Sequence, residues 1–233
     1  MTTTCFTPFK IPRVRVTRLS ACGAVVTGDC SQVVSDGIIS VEMTKNYEDR
    51  EEFFIKNGDG QFCVRETTPP ILKWIDLVLT FCNVDPDIVN IIANEPLYSS
   101  DDASETKIGW STEEGSVNDV NFAFEGWTRL SGTSSPCTGT NAIPFGYVLF
   151  PWVVEGTIGD MTLENGVANF VVNARTRADS LWGVGPYNVA LSDNLATFDT
   201  EIPMLTPIGS RQHHRMFITR LPPPDSACGC AAQ

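Results

Sequence analysis

Asp119-Val120-Asn121-Phe122-Ala123-Phe124-Glu125-Gly126-Trp127 is the stretch that decides the fold class. Val120, Phe122 and Phe124 alternate with Asp119, Asn121, Ala123 and Glu125, and the run continues to Leu130. Successive side chains of a strand point to opposite faces, so this two-residue period predicts a β-strand with one apolar and one polar face. The same period recurs on either side. Ile39, Val41 and Met43 alternate with Ser40, Glu42 and Thr44, which predicts a half-buried strand. Ala168, Phe170, Val172 and Ala174 alternate with Asn169, Asn173 and Arg175. Residues 14–19 and 214–220 are further strand candidates. Residues 147–154 are apolar on both faces and contain Pro151, which lacks a ladder N–H and so requires an edge or a bulge.

Two segments read as helical. Pro69-Pro70 precedes Ile71, Leu72, Trp74, Ile75, Leu77, Val78 and Leu79. Proline suits a helix start, because its missing N–H has no intrahelical partner there. The apolar face of this run is broad, which leaves a strand as the other reading. Asp85 as N-cap and Pro86 at the first helical position predict a short helix through Ile92. Asn57-Gly58-Asp59-Gly60 predicts a tight turn, and Asn165-Gly166 a hairpin turn ahead of a strand from Val167. Residues 131–140, rich in Ser, Thr and Gly, read as a flexible loop. The expectation is a mainly β fold, sandwich or barrel-like, with one or two flanking α-helices. It forms a single domain over residues 1–220, including an N-terminal arm at 1–12. Residues 221–233, which open Leu221-Pro222-Pro223-Pro224, read as a flexible, loosely held tail.

The chain has 233 residues, with 28 acidic and 16 basic side chains and a net charge of −12. Only 19% of the residues are charged and 42% are hydrophobic, which excludes a disordered acidic tail. A chain of this length buries a sizeable core without metal or disulfide staples. The acidity disfavours tight binding to duplex DNA, which requires clustered Lys and Arg, and adhesion to anionic membranes. The charge is uneven. Residues 1–30 carry Lys10, Arg13, Arg15 and Arg18 against Asp29, whereas residues 76–125 carry eleven acids and only Lys107. The opening Met1–Lys10 has no apolar h-region, so no secretory leader is expected. The longest uncharged apolar run, 145–154, is too short to span a bilayer. A soluble chain made in the cytoplasm is the expectation.

The common catalytic signatures are missing. There is no G-x-S-x-G elbow, phosphate-binding loop or H-E-x-x-H helix. The two histidines, His213 and His214, are adjacent, so on a strand they point to opposite faces and do not chelate one ion. Eight cysteines occur without a C-x-x-C pair, and reduced spectator thiols are expected. Cys63 and Cys82 lie in apolar runs and read as buried thiols. Cys228-Gly229-Cys230 leaves open a two-ligand metal clip or a cross-link. The acidic pairs Glu51-Glu52, Asp101-Asp102 and Glu113-Glu114 read as solvated surface. The five tryptophans, Trp74, Trp110, Trp127, Trp152 and Trp182, would suit core packing or a sugar-stacking platform, and Trp127 falls on the polar face of its strand. No catalytic, cofactor-binding or metal-binding residue is assigned, and no enzyme activity is expected.

Three stretches share an order and spacing with a known family: Gly58-Asp59-Gly60-Gln61-Phe62-Cys63-Val64, Phe81-Cys82-Asn83-Val84-Asp85-Pro86-Asp87 and Trp182-Gly183-Val184-Gly185-Pro186-Tyr187. Between the last two stand Pro151-Trp152-Val153 and Asn173-Ala174-Arg175-Thr176-Arg177. From about residue 38 to 190 the chain resembles the major tail proteins, or tail tube proteins, of long-tailed bacteriophages with non-contractile tails, especially those of actinobacterial hosts. The resemblance implies a β-sandwich or barrel-like domain with a flanking helix, akin to type VI secretion tube proteins. It implies copies that form hexameric rings, stacked into a virion tail tube through which DNA passes without tight binding. Tape measure and tail terminator proteins are the further partners it implies, with no cofactor and no membrane.

A stacked ring needs lateral and axial contacts. Residues 45–60 and 99–115 are the candidate inter-ring loops, with Phe53, Phe54 and Trp110 as anchors. DNA must slide in a channel, and an acidic wall offers phosphates no sites to hold. Asp119, Asn121 and Glu125 are the candidate lumen-facing residues, with the outer face of a tube as the other placement. The alternative function is a soluble β-sandwich binding module that recognises carbohydrate or a host protein through its aromatics.

Overall fold

A computed structural model describes residue 6 and residues 8–102, 106–114, 119–130, 145–161, 169–191 and 200–233. The predicted loop at 131–140, the Asn165-Gly166 turn and Ala168 lie outside the described residues. The chain is mainly β with one helix. Strands β1 (Pro8–Arg18), β2 (Gln32–Ser35) and β3 (Ile38–Tyr47) are followed by the hairpin β4 (Glu52–Lys56) and β5 (Phe62–Thr67). Strand β6 (Leu72–Phe81) leads into α1 (Pro86–Ala93), and β7 (Leu97–Ser99) and β8 (Lys107–Trp110) form a second hairpin. The long strands β9 (Asn121–Leu130), β10 (Phe145–Ile158) and β11 (Phe170–Thr176) come next, then the short β12 (Ala190–Leu191), β13 (Glu201–Ile202) and β14 (Arg215–Thr219).

The main sheet has the order β2-β1-β9-β10-β11-β6-β3, with β14 also paired to β10, and every ladder is antiparallel. The sheet curls until β1 and β3 share the walls of one groove of about 270 Å3, lined by Pro8, Lys10 and Ile11 from one strand and Val41 and Met43 from the other. Strand β1 starts at Pro8, so residues 8–12 of the expected N-terminal arm belong to the sheet, where Pro8 and Lys10 pair with Leu130 and Arg129. Pro151 sits in the central strand β10. The β9–β10 register shifts between Phe150 and Val153, so the proline occupies an irregularity, as its missing N–H requires.

The helix expected after Pro69-Pro70 is instead strand β6. Its burial alternates, with Ile75, Leu77, Leu79 and Phe81 buried and Asp76, Val78 and Thr80 half-exposed. The prolines hold the chain extended on entry, and both flanks of β6 find ladder partners, β3 on one side and β11 on the other. The second helix is present as expected. The Asp85 side chain accepts from Asp87 N–H at 2.9 Å, Pro86 opens α1, and Asn94 closes it in the left-handed region at φ 55°. Ile88, Ile91 and Ile92 carry the helix onto the sheet. It approaches so closely that a Cβ at Gly156 of β10 would collide with the Ile92 carbonyl oxygen.

The sheet has an apolar cluster on each face. One contains Val14, Val16, Leu77, Leu79, Phe122, Phe124 and the α1 isoleucines. The other contains Ala123, Trp127, Tyr147, Leu149 and Trp152, covered by Trp182, Val189, Met204 and Ile208 from the irregular chain before β14. The presumed polar face of β9 is therefore a second core.

Candidate functional site

Residues 47–71 are exposed without exception, and they form an arm that extends from the end of β3 and returns into β6. Its tip is the turn predicted from Asn57-Gly58-Asp59-Gly60. Asn57 N–H donates to Gln61 O at 2.8 Å, the Asn57 side chain accepts from the Asp59 and Gln61 N–H groups, and Gly60 takes φ 80°. Across the hairpin Phe53 faces Glu66, Phe54 faces Arg65 and Ile55 faces Val64. Phe53 and Ile55 thus share one face with Val64, and Phe54 lies on the other with its ring 5.7 Å from that of Phe62. These side chains are 53%, 59%, 41%, 44% and 54% exposed, in the order Phe53, Ile55, Val64, Phe54 and Phe62. Both faces of the arm carry exposed apolar side chains, with Lys56 and Arg65 lying over the rings of Phe62 and Phe54, and among the described residues neither face has a core beneath it.

The apolar surface continues onto β3. This strand pairs with β6 and with no other strand among the described residues, and it forms one end of the sheet order. Ile39, Met43 and Tyr47 stand exposed along it. The predicted strand is present, but its alternating apolar side chains are not buried as expected. Only Val41 is half-covered, in the groove shared with β1.

Of the expected inter-ring anchors, Phe53 and Phe54 are free of the body of the chain. Trp110 is not: it is half-buried on β8, edge-on to Phe170 at 5.7 Å. The expected lumen residues separate. Asp119 is exposed, while Asn121 is half-buried and accepts from the Trp152 indole N–H at 2.8 Å. Glu125 is a correction, because it is fully enclosed and presents no carboxylate to any surface. Its partner is Arg15, which donates through Nε and Nη2 at 2.7 and 2.9 Å. The Tyr147 hydroxyl donates at 2.5 Å, and the Tyr187 hydroxyl also donates to the carboxylate. Burial alone would push the Arg15 pKa down, but the Glu125 carboxylate outweighs it and the net shift is upward. Burial first, and then the same carboxylate, push both tyrosines well above their ordinary range. Every oxygen of Glu125 is satisfied, so the cluster is a closed polar core without room for a substrate. Trp127, Trp152 and Trp182 are also buried, which removes them from any sugar-stacking platform.

The cysteines depart from expectation too. Cys63 and Cys82 are exposed, Cys63 because it lies on the arm. Cys230 is joined to Cys30 by a disulfide across a sequence separation of 200. Nothing in the local sequence marks this pair, because only the folded chain brings residues 30 and 230 together. Cys30, Asp87 and Cys230 form a candidate donor set for a metal, with ligand atoms within 4.8 Å of one another. The Lys107 ammonium is 2.6 Å from Asp87 Oδ1 and 3.3 and 3.5 Å from the two sulfurs, where it supplies the positive charge a cation would bring. Among the described residues no helix is long and apolar enough to cross a membrane. No protein-family model matches the chain, and no curated protein matches it.

Proposed function

We propose that this chain is a structural virion protein, a tail tube subunit whose copies assemble into stacked hexameric rings around a channel for genome delivery. The observation that carries the reading is the β4–β5 arm. A two-stranded hairpin without a core is marginal in water, so one that exposes apolar side chains on both faces gains its stability from a surface it docks on. Burying each of its large side chains contributes about 1.5–3 kcal/mol. An arm that docks on a different patch of the next copy makes a head-to-tail contact, and such contacts close into rings or repeat along a tube. The free edge of β3 supplies a second contact of that kind.

The charge agrees with the role. A wall that is net negative gains no counterion-release free energy from phosphates, so DNA passes without being held. The buried Glu125 takes no part in that wall, and exposed acids such as Asp119 are left to serve.

Negative-stain microscopy and sedimentation velocity on the full chain test this. Rings or tubes roughly 100 Å wide are expected, the width for six domains of this size around a channel. Phe53→Asp combined with Phe54→Asp should leave a folded monomer that forms neither. A wild-type chain that stays monomeric at high concentration and binds a glycan saturably would replace this reading with the binding module.

A further inference from the structure

Residues 221–233 run back over the molecule as a strap. Leu221 anchors its start, and beyond it no strap residue is buried. The strap meets the start of β2 on its outer edge. Ala231 N–H donates to Gln32 O at 2.8 Å, and the Ser31 and Gln32 N–H groups donate to Ala231 O at 3.1 and 3.2 Å. Gln233 N–H reaches Ser31 Oγ at 2.9 Å. The strap also crosses the first turn of α1, where Gly229 N–H donates to Asp85 and Cys230 N–H to Asp87 Oδ2 at 3.0 Å. With residues 226–230 it forms one wall of a cleft of about 700 Å3 also lined by Asp36, Asp85, Asp87 and Lys107. The Cys30–Cys230 disulfide fastens it to the turn ahead of β2, with Cα atoms 4.6 Å apart.

We propose that this disulfide is a redox-controlled clasp: closed, it holds the strap against the start of β2 and the wall of the cleft, and reduced, it lets the strap leave both. Without the covalent bond the strap, which beyond Leu221 buries no residue, is held by a few hydrogen bonds to Ser31, Gln32, Asp85 and Asp87, the kind of segment that opens locally while the rest of a domain stays folded. Both sulfurs belong to half-buried residues, so a dithiol can reach them. Lys107 Nζ stands within 3.5 Å of each, and its positive charge favours whichever thiolate departs. In the step itself a small dithiol attacks one sulfur, the Cys30–Cys230 bond breaks, and the dithiol becomes a disulfide. Two electrons and two protons pass to the protein as two thiols. What the clasp controls is one end of an edge: closed, the Ser31 and Gln32 groups at the start of β2 are paired with the strap, and open, they are offered to another strand.

Hydrogen exchange at Ser31, Gln32, Cys230 and Ala231 of the full chain, with and without dithiothreitol, tests the clasp. Exchange at these amides should be slow in the oxidised chain and at least tenfold faster after reduction. Cys30→Ser should exchange like the reduced chain with no reductant present, and Cys228→Ser like the oxidised wild type. Lys107→Met should slow reduction of the bond. Protection that survives both reduction and Cys30→Ser overturns the proposal. So does full alkylation of Cys30 and Cys230 in the untreated, air-exposed chain, or oxidised protein that runs only as cross-linked multimers. Restoration of oxidised-level protection by Zn2+ added to the reduced chain would overturn it in favour of a metal clasp on Cys30, Asp87 and Cys230.

Discussion

Arg15 and Glu125 lie 110 residues apart in sequence and meet as a bidentate ion pair inside the sheet, with the carboxylate fully enclosed. Arg15 also lies 3.4 Å above the centre of the Tyr187 ring. A buried pair of this kind adds little net stability, yet removing one partner strands the other charge. Glu125→Ala should therefore destabilise the fold by about 3–5 kcal/mol. Arg15→Met combined with Glu125→Leu should cost far less than that single change. Urea unfolding of the three proteins checks this. A double variant as unstable as Glu125→Ala would mean that the stranded tyrosine hydroxyls or the change of shape, and not stranded charge, set the cost.

A second buried network predicts acid sensitivity. Ile75 N–H donates to Thr176 Oγ1 at 2.9 Å, and the Thr176 hydroxyl lies 2.9 Å from His213 Nδ1. Across that contact the hydroxyl donates to a bare ring nitrogen or accepts from a protonated one, according to the tautomer of the ring. Burial first, and then the neighbouring His214, lower the His213 pKa from its ordinary 6.5. Burial and Lys45 lower that of His214. The unfolded chain then binds protons more readily than the folded one. The stability from these neutral rings is complete above pH 6.5 and is lost as pH falls through the lowered values. The urea midpoint should drop between pH 7.5 and pH 5, and His213→Gln should flatten that drop. An unchanged slope in the variant would assign the acid sensitivity elsewhere.

How far the sequence could be read follows from the same residues. Alternation along β9 identified a strand, since backbone geometry imposes the two-residue period whatever lies on either side. It could not reveal that Asn121, Glu125 and Trp127 face a second core, because the cover comes from Trp182, Met204 and Ile208 on irregular chain with no period of its own. In β6 an apolar run broad enough for a helix face concealed the alternation of Ile75, Leu77, Leu79 and Phe81. The α1 cap was legible because Asp85 and Pro86 act within one turn. The arm was half-legible. Its turn is local chemistry, whereas the exposure of Phe53 and Phe54 depends on the rest of the chain leaving them uncovered.

Gly156 tests the seat of the helix. A methyl group there meets the Ile92 carbonyl oxygen, part of the backbone of α1, which no side-chain rotation can relieve. Gly156→Ala should force the helix away from β10 and cost about 1–3 kcal/mol. The denaturation midpoint would fall, and exchange at Ile91 and Ile92 amides would quicken. A variant as stable as the parent would show that α1 yields freely and is not fixed against the sheet.

The arm makes the opposite prediction for stability. A buried phenylalanine truncated in a core costs about 3–5 kcal/mol. Phe53 and Phe54 contribute to neither apolar cluster of the fold, so Phe53→Asp with Phe54→Asp should move monomer stability by less than about 0.5 kcal/mol. The same change should abolish assembly, because the side chains lost are those that bury only between copies. Exchange across residues 47–71 separates the two contributions. These amides should exchange quickly in the monomer and become protected in the assembled state. Equal protection in both states would mean that the arm is already held by its own chain, and the self-assembly reading would lose the observation it rests on.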